Sequence, residues 1–491
     1  MSSPVRFLFA DQLGPHFLAD TDAPVLLVES KAVFRRRRFH RQKAHLVLSA
    51  LRHRAAELGD RAVYVRAETY RPALQGHDLE VIAPTSRAAR RLVESLPRAR
   101  QLEERGFITT RADFNRWVAA RSGRRLRLED FYRDARQRTG VLMDDGQPTG
   151  GQWNYDRDNR QPPPPSAETP VPEPWWPTED DIDEQVRADL DRWEAAGEVR
   201  FVGRDGPRRF AATAIEAQAA LQSFVSTRLV AFGPYEDAML GGAPTMAHSL
   251  LSAPLNLGLI DPMECVRAAE GAYAEQRAPL SSVEGFIRQL MGWRDYVWHL
   301  YWHFGEGYRH ENSLNATVDL PGWLAELETE AVGAACLRGV VGDLRDRGWV
   351  HHIPRLMVLG NWALQRGLDP GQVTDWFHRC FVDGYDWVMV PNVVGMSQHA
   401  DGGKMATKPY VAGGSYINRM SDYCGGCAYD PRVRVGPRAC PFTAGYWSFL
   451  ARHEERLARN ARMAQAVRGL RRLRDLPELL AEDRNRGTAP P

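Results

Sequence analysis

The chain changes its sequence pattern at a proline-rich segment that follows its first third. Before this segment, short apolar runs alternate with amphipathic stretches, whereas from Val186 onward apolar residues recur at helical spacing and no strand is evident. Proline clusters favour extended backbone and act as spacers between folded units. We therefore predict an α/β domain over residues 1–135, a linker over 136–185 with proline runs at 161–165 and 170–177, an all-helical domain over 186–482 and a disordered polar tail over 483–491.

The first domain is predicted to contain an open, mostly parallel, Rossmann-like sheet with helices on both faces. Alternation of strand and helix is the pattern of such sheets. Predicted strands are residues 5–10, 24–29, 62–66 and 79–83, with 107–110 as a further candidate, and predicted helices are 41–58 and 86–96. Ligands bind at the carboxyl ends of the strands, so Asp11, Gln12 and Glu29 lie where a small molecule would be recognised. No GxGxxG follows the first strand, so the ordinary dinucleotide fingerprint is absent.

Composition predicts a soluble, globular protein of two or three domains. The 491 residues are 43% hydrophobic and 26% charged, which allows a sizeable core. No apolar run reaches the roughly 18–20 residues of a membrane span, and Asp11 interrupts the N-terminus before a signal-peptide core could form. The net charge is only +2, so a nucleic-acid partner would have to meet a local basic patch. We expect a cytoplasmic monomer without membrane contact.

Four of the six cysteines form a candidate metal-ligand set. Cys424 and Cys427 make a CxxC pair, Cys440 follows after 12 intervening residues and precedes a proline, and Cys336 lies upstream in a helical stretch. Two such sulfurs can bind one centre, and four thiolates suit either tetrahedral zinc or an iron–sulfur cluster. The remaining two cysteines fit the alternative of buried free thiols. Thiols arranged for a metal, with few others, indicate a reducing compartment.

Two helical segments carry polar residues where a plain bundle would need apolar ones. Residues 232–239 precede 248–256, in which a serine-containing turn opens a helix. Such a turn presents free N–H groups and suits a phosphate, although an ordinary N-cap explains it equally well. Residues 284–296 mix aromatic, amide and guanidinium groups at helical spacing, for which an aromatic core helix is the simpler interpretation.

A pair of adjacent histidines, His351 and His352, is followed by Arg355 one helical turn later. Adjacent residues on a helix point in different directions, so at least one imidazole should face a cavity or water. A histidine beside a fixed positive charge can donate or shuttle a proton. Two structural histidines at the start of a helix are the alternative.

A long loop-rich run, residues 383–410, follows this helix. It contains Lys404, Lys408 and Tyr410, and two of the four lysines of an otherwise arginine-rich chain therefore lie in one loop region. Long loops in compact domains are usually functional. Glycine, lysine and tyrosine together suit a nucleic-acid backbone and a stacked base, whereas a solvated connector is the alternative.

The chain resembles a known family over nearly its whole length. Its C-terminal half is similar to the iron–sulfur bacterial cryptochromes and photolyases, also called deoxyribodipyrimidine photolyase-related proteins. The DQL and VES segments near the start match the N-terminal domain of that family more loosely. The stretches that carry the resemblance are GGQWNYDRDNR, SVEGFIRQLMGWRDY, HHIPRLMVLGN, PNVVGMSQHADGG, ATKPY, and YINRMSDYCGGC through ACPF.

The resemblance implies a cryptochrome/photolyase fold, with an α/β antenna domain and a large all-helical domain that buries FAD. It also implies a [4Fe–4S] cluster, for which the four cysteines described above stand at the ligand positions. A 6,7-dimethyl-8-ribityllumazine antenna is characteristic of the group, and Asp11, Gln12 and Glu29 are its candidate contacts here.

The resemblance also implies roles for single positions. Arg355 and Asp383 correspond to the ion pair that packs on the isoalloxazine ring, and His352 takes the place of the histidine that protonates the lesion in (6–4) photolyases. Residues expected near the FAD phosphates are Tyr235, His248, Ser249, Leu250 and Ser252. Residues expected to border the flavin or the lesion are Gln289, Trp293, Arg294 and Met389. Residues expected to assist His352 are His351, Lys408 and Tyr410.

The implied activity is light-driven repair of UV-damaged DNA. Reduced FAD would give an electron to a flipped (6–4) photoproduct, and His352 would supply a proton. Two alternatives remain at this stage. One is a cryptochrome-type blue-light photoreceptor with the same cofactors and a signalling partner. The other is a zinc-bound nucleic-acid-binding module without photochemistry.

Overall fold

The structure is a computed structural model that describes residues 4–164 and 171–491. Residues 165–170, which include part of the predicted proline-rich linker, lie outside the described residues. The predicted parallel sheet of the first domain is confirmed. Its five strands are β1 (Val5–Leu8), β2 (Val25–Ser30), β3 (Ala62–Ala67), β4 (Leu79–Ile82) and β5 (Ala99–Leu102). They run in the order β3-β2-β1-β4-β5, and every neighbouring pair is parallel.

The predicted strand at 107–110 does not form, and β5 takes its place at the edge of the sheet. Arg100 and Gln101 of β5 are exposed, so this edge strand lacks the apolar run that identifies a buried strand in a sequence. Phe107 instead stacks on Trp298 of the helical part, with ring centroids 4.0 Å apart. The apolar residues at 107–110 therefore serve the contact between the two parts of the chain.

Helices cover the sheet and build the rest of the chain. Those up to residue 195 are Lys31–Arg36, Arg41–Leu58, Tyr70–Leu74, Arg87–Glu94, Arg111–Ala119, Leu128–Thr139 and Asp181–Ala195. Those that follow are Ala214–Thr227, Leu229–Tyr235, Ser252–Asn256, Pro262–Ala274, Leu280–Ile287, Asp295–His303, Gly322–Ala325, Ala335–Arg347, Asn361–Arg366, Pro370–Cys380, Asp386–Met389, Gly414–Met420, Pro441–Arg452, Glu454–Ala458, Ala464–Leu470 and Leu476–Arg486. Three π-helical stretches, Arg288–Arg294, Pro354–Gly360 and Val390–Ser397, interrupt longer helices.

The division between the two parts differs from the predicted boundary at 186. Helix Asp181–Ala195 packs on helix Arg41–Leu58 and belongs with the α/β part. The apolar side chains of this contact include Ala44, Leu48, Val186 and Leu190. The predicted linker also contains a short antiparallel hairpin, Met143–Asp144 with Gln147–Pro148. None of the described helices is long and apolar enough to cross a bilayer.

The last residues are placed differently from the predicted disordered tail. Helix Leu476–Arg486 runs into this segment. Within it, Asp483 forms a buried ion pair with Arg366 at 2.8 Å, and the Ala334 N–H donates to the Pro491 oxygen at 2.8 Å. The polar composition suggested fraying, but a buried acid with a buried partner holds the chain in place.

Asp295 links the two parts at a fully buried position. The N–H and hydroxyl of Thr109 both donate to Asp295 Oδ2, at 2.7 and 2.9 Å, while Oδ1 has no partner within the described residues. Burial raises the pKa of Asp295 to about 7, although the Arg294 charge opposes the shift. The folded protein therefore holds a proton on Asp295 that the unfolded chain releases above pH 3.8.

We expect Asp295→Asn to stabilise the protein at neutral pH, because the amide is neutral and keeps an acceptor for Thr109. For a raised carboxyl pKa, stability is greatest below 3.8 and falls as pH rises toward about 7. The slope for this one group is at most about 1.4 kcal/mol per pH unit. Urea unfolding at pH 5 and pH 8 should show a larger gain at pH 8. Asp60→Asn, at an exposed acid, is the control; equal gains at both pH values for Asp295→Asn would contradict the assignment.

Candidate functional site

Asp383 is the centre of a buried polar cluster in the helical part. Arg355 binds both of its carboxylate oxygens through two N–H···O bonds of 2.9 Å each. The Ser252 hydroxyl and the Trp349 indole donate to Asp383 Oδ2 at 2.6 and 3.1 Å. The Asn256 amide donates to the Asp383 carbonyl at 2.9 Å. A cluster with this many satisfied bonds is rigid.

The charge of Asp383 is retained in spite of its burial. Burial alone would raise the pKa of Asp383, but the charge and hydrogen bonds of Arg355, together with the Ser252 hydroxyl, lower it below the ordinary value. The Arg355 guanidinium also lies over the Phe381 ring, 4.2 Å from its centroid. The result is a fixed, charged pair of the kind that can orient a planar, polar ligand.

We expect Arg355→Ala to destabilise the fold by about 3–5 kcal/mol, because it leaves Asp383 buried without its counter-charge. Arg366→Ala is a matched control, since it removes an arginine from another buried ion pair, the one with Asp483. Urea unfolding should report a similar loss for both variants. Only Arg355→Ala should also lose the FAD that the sequence resemblance implies at this pair. Equal FAD content in the two variants would contradict a role of Arg355 in ligand binding.

Three histidines meet beside this cluster. The imidazoles of His248 and His351 are stacked with centroids 4.3 Å apart, and that of His352 lies edge-on to His248 at 5.3 Å. Burial is the main cause that lowers the pKa values of His248 and His351 well below the ordinary range, and nearby positive charges lower them further. These two imidazoles are therefore neutral at physiological pH, and the His351 Nδ1 has no partner within the described residues.

His352 differs from its two neighbours in exposure and in its partner. Its side chain is 46% exposed, and its Nε2 lies 3.5 Å from Asp237 Oδ1. Burial alone would raise the pKa of Asp237, but the His352 hydrogen bond and charge, with the charges of Arg160 and Arg288, lower it. A carboxylate at this position can orient the imidazole by hydrogen bonding. Among the three, His352 is the one whose imidazole is exposed and can be presented to a bound molecule.

A second pocket lies next to the turn at Ser249. Its polar lining comes from Arg209, Arg228 and Ser249, and Trp175 and Phe210 add aromatic surface. Leu250, also in the lining, has a positive φ of 59° that belongs to this turn.

Arg228 is the strongest indication of what this pocket binds. Its side chain is fully buried, and Nη2 donates only to the carbonyls of Thr245 and Met246, while Nε has no partner within the described residues. Burial lowers the pKa of Arg228 to about 10. A buried cation that no carboxylate of the described residues contacts fits an anionic ligand such as a phosphate.

The four cysteines of the predicted ligand set come together in one pocket. All six cysteines of the chain are free thiols, and Cys336, Cys424, Cys427 and Cys440 line a cavity with Tyr423 and Phe442. Burial and the three neighbouring thiols raise the pKa of Cys336 well above its ordinary value. Thiols that crowd one another in this way are stabilised when a metal centre takes up their negative charge.

Local backbone around the cysteines is adapted to this pocket. Cys336 lies in the first turn of helix Ala335–Arg347, and the Ala335 N–H donates to Cys427 Sγ at 3.4 Å. At Gly414, an added Cβ would lie 2.8 Å from Cys440 Sγ, so only glycine leaves room for the thiol. The donor set and the space therefore fit a four-thiolate centre.

Asp11 lies just past the carboxyl end of β1, where the sequence predicted a small-molecule site. The Thr85 hydroxyl donates to Asp11 Oδ2, whereas the buried Oδ1 has no partner within the described residues. Burial raises the pKa of Asp11 against the opposing hydrogen bond of Thr85. An unpartnered carboxyl oxygen at a strand end suits a polar ligand.

The other two predicted residues at this edge already have protein partners. Glu29 accepts bonds from Arg52 at 3.1 and 3.0 Å and from the Tyr64 hydroxyl. The Gln12 amide donates to the Ile82 carbonyl at 3.2 Å. Glu29 therefore belongs to a buried ion network of the α/β part, and Asp11 alone of the three offers a free acceptor.

The remaining predicted residues are more scattered. The Arg294 guanidinium donates to the carbonyls of Gly106 and Leu255, so it joins the two parts of the chain. Met389 is buried in the core cluster that also contains Cys336. Tyr410 packs half-buried against that same cluster, whereas Lys408 is exposed. Tyr235, Gln289 and Trp293 are half-buried.

Three residues of the site were missed in the sequence. Trp349 and Asp237 complete the Asp383 and His352 contacts, and Arg228 faces the second pocket. Asp237 lies within the motif at 232–239, two residues after Tyr235, and its acid could have been recognised as a partner for a nearby histidine. Trp349 lies two residues before the motif at 351–361. Arg228 had no comparable signal, because arginines are abundant in this chain.

Comparison with known proteins agrees with this geometry. The family described as deoxyribodipyrimidine photo-lyase-related protein matches residues 6–200. A (6-4) photolyase of Agrobacterium fabrum is 38% identical over 492 residues, which covers 94% of each chain.

Solved structures show the same fold. A bacterial class III photolyase from Agrobacterium tumefaciens superposes with a TM-score of 0.56 at 16% identity, covering 100% of this chain and 97% of that one. A Synechocystis cryptochrome superposes with a TM-score of 0.52 at 13% identity, covering 80% and 82%. From its fold and from the identity it shares over nearly its full length with a relative of the group, the chain belongs to the deoxyribodipyrimidine photolyase-related family.

Proposed function

We propose that this protein is a light-driven DNA-repair enzyme, a (6–4) photolyase whose substrate is UV-damaged DNA. The observation that carries the proposal is the pair formed by His352 and Asp237, at 3.5 Å, beside two buried neutral histidines and the charged Arg355–Asp383 pair. This arrangement combines a proton donor at an accessible position with a rigid, buried site for a planar ligand. The full-length similarity to a (6-4) photolyase supports it.

The residues present fit FAD. Arg228, Arg209 and Ser249 would hold its phosphates, and Arg355 with Asp383 would fix the isoalloxazine ring. Bound FAD in its reduced form would supply the light-excited electron for lesion repair. Ser252 couples the two ends of this site, because it donates to Asp383 from the helix that follows the Ser249 turn.

His352 would hold the proton that the lesion needs. Two adjacent pyrimidines linked by UV light are poorly stacked, so flipping them out of the helix costs less than flipping a normal base. The half-exposed imidazole can reach such a base, whereas His248 and His351 are buried. Asp237 would orient the His352 imidazole through the 3.5 Å contact between its Oδ1 and the imidazole Nε2.

We also propose that the four-cysteine pocket holds a [4Fe–4S] cluster with a structural role. The thiols fit zinc as well, and the resemblance to the iron–sulfur members of the family favours the cluster. The ultraviolet–visible spectrum and the iron and zinc content of the purified protein distinguish the two. A broad shoulder around roughly 400 nm beneath flavin bands near roughly 450 nm supports the cluster.

For the α/β part we propose a 6,7-dimethyl-8-ribityllumazine antenna at the strand ends, with Asp11 as its contact. The support is the unpartnered Oδ1 of Asp11 together with the family resemblance. Extraction of the purified protein followed by mass spectrometry of the released pigments tests it.

Repair of defined DNA lesions tests the main proposal. Purified protein should restore an oligonucleotide with a (6–4) photoproduct under blue light and leave it unchanged in the dark. A cyclobutane dimer in the same sequence context should be repaired far more slowly. A protein that binds FAD and repairs neither lesion would instead support the photoreceptor alternative, and a colourless protein would support the zinc-bound binding module.

A further inference from the structure

The end of helix Pro370–Cys380 is closed by a residue from the other part of the chain. Lys43, near the start of helix Arg41–Leu58, is 6% exposed, and its Nζ donates to the His378 carbonyl at 2.7 Å and to the Gly384 carbonyl. The last carbonyls of a helix have no intrahelical partners, and a cation there satisfies them and interacts favourably with the helix dipole.

The turn that Lys43 closes leads directly to Asp383. Three carbonyls converge on Gly384, where an added Cβ would lie 2.9 Å from those of Phe377 and His378 and 3.0 Å from that of Phe381. Only glycine leaves space for this turn. The Phe377 and Phe381 carbonyls accept from the N–H groups of Phe381 and Gly384, whereas the His378 and Gly384 carbonyls need a donor from elsewhere. Lys43 supplies it within one residue of the carboxylate that anchors the candidate flavin site.

Neighbours of Lys43 cap a second helix in the same way. The Gln42 amide donates to the Asp346 carbonyl at 2.7 Å, and His40 Nε2 lies 3.0 Å from the Arg345 carbonyl, both in the last turn of helix Ala335–Arg347. The His40 N–H donates to the Arg379 carbonyl at 2.8 Å. Residues 40–43 therefore hold the ends of two helices together.

Both capped helices lead into the functional site. Helix Pro370–Cys380 is followed by Asp383, and helix Ala335–Arg347 begins at the cysteine pocket and is followed by Trp349 and His352. The distance between the ends of these two helices thus depends on residues 40–43 of the α/β part. A further contact strengthens the connection, since the Lys43 ammonium lies 4.9 Å from the Phe39 ring centroid and 5.5 Å from that of Tyr385.

The geometry points to Lys43 as a positioning residue for the flavin site: it holds the 378–384 turn, and with it Asp383, in the place that ligand binding requires. This inference rests on the proposed flavin site at Asp383. It makes the α/β part a structural component of catalysis in addition to its antenna role. Lys43 itself would not touch the substrate.

The test compares Lys43→Met with Lys31→Met. Lys31 lies on the same part of the chain and pairs with Glu198, so the control removes the same side chain at another position. We expect Lys43→Met to bind FAD roughly tenfold more weakly, the scale of losing one hydrogen bond. Its bound flavin should show a shifted reduction potential, whereas Lys31→Met should match the wild type in both.

Hydrogen exchange followed by mass spectrometry gives a readout that does not depend on FAD. Lys43→Met should lose amide protection in residues 377–384, while Lys31→Met keeps it. Equal protection, FAD affinity and flavin potential in Lys43→Met and wild type would overturn the inference. A wild type that binds no FAD would defeat the proposed function instead, and the exchange data would still decide whether Lys43 holds the turn.

A second variant keeps the test valid when the first one does not fold. If Lys43→Met does not fold, Lys43→Gln, which keeps a neutral donor, enters the same comparison. Lys43→Gln should show partial protection of 377–384 and intermediate FAD affinity. The positioning role would be contradicted if Lys43→Gln kept wild-type protection of 377–384 and wild-type FAD affinity. It would also be contradicted if this variant lost only global stability.

Discussion

His352→Ala is expected to lower repair of (6–4) photoproducts by about 10²–10⁴-fold, the usual contribution of a positioned general acid. Its imidazole is the exposed member of the three-histidine group, and Asp237 lies 3.5 Å from its Nε2. Burial lowers the pKa values of His248 and His351 well below the ordinary range, so neither can replace it as a proton donor. The substitution removes the proton source without touching Arg355 or Asp383.

Repair should be followed under single-turnover conditions in blue light, with the lesion oligonucleotide quantified by chromatography. FAD absorbance and DNA affinity should equal those of the wild type, so that the loss lies in the chemical step. His310→Ala, at an exposed histidine, is the control. Wild-type repair by His352→Ala would remove the proposed acid, and loss of FAD from the variant would assign His352 a structural role.

Burial of whole strands explains why the sheet was predictable. The strand Val25–Ser30 is buried throughout, and the continuous apolar run of its first four residues was visible in the sequence. The helix Arg41–Leu58 was predicted with its observed bounds because its apolar residues recur at helical spacing. The edge strand β5 was missed, since Arg100 and Gln101 face solvent and leave no such pattern.

Long-range contacts explain what the sequence could not show at the site. Glu29 was a reasonable antenna contact from its strand-end position, yet Arg52 returns from the following helix and binds it. Lys43 was one of four lysines, but nothing local indicates that it reaches carbonyls more than 300 residues away. Such partners are fixed by packing between elements, and a local pattern carries no information about them.

The cysteine spacing, by contrast, carried its information locally. Cys424 and Cys427 were identified as ligands of one centre from two intervening residues, and the structure places them in one pocket with Cys440. Cys336, the fourth member of the predicted set, lies far upstream of this local pattern, and the structure brings it into the same pocket. Its position in the first turn of helix Ala335–Arg347 connects the pocket to the helix that precedes His352.

Cys427→Ala is expected to give poorly soluble protein that lacks the absorbance around roughly 400 nm. Loss of one ligand from a four-thiolate centre removes binding energy that is also folding energy, on the order of several kcal/mol. The remaining three thiols would then stay crowded in a buried pocket without a metal to take up their charge. Because helix Ala335–Arg347 contacts the 424–440 loops around Cys336, their packing should loosen, and FAD content should fall with it.

Cys265→Ala is the matched control, because it removes a fully buried thiol outside the pocket. It should cost only about 1 kcal/mol, the scale of one lost buried group, and keep both FAD and iron. Soluble yield, iron per polypeptide and thermal unfolding of the two variants give the comparison. A soluble Cys427→Ala protein with wild-type FAD content and stability would show that the fold does not depend on the four-cysteine centre. A four-cysteine centre predicts a large difference in yield and stability between the two variants. Equal losses of yield and stability in both would mean that a buried thiol outside the pocket matters as much as Cys427.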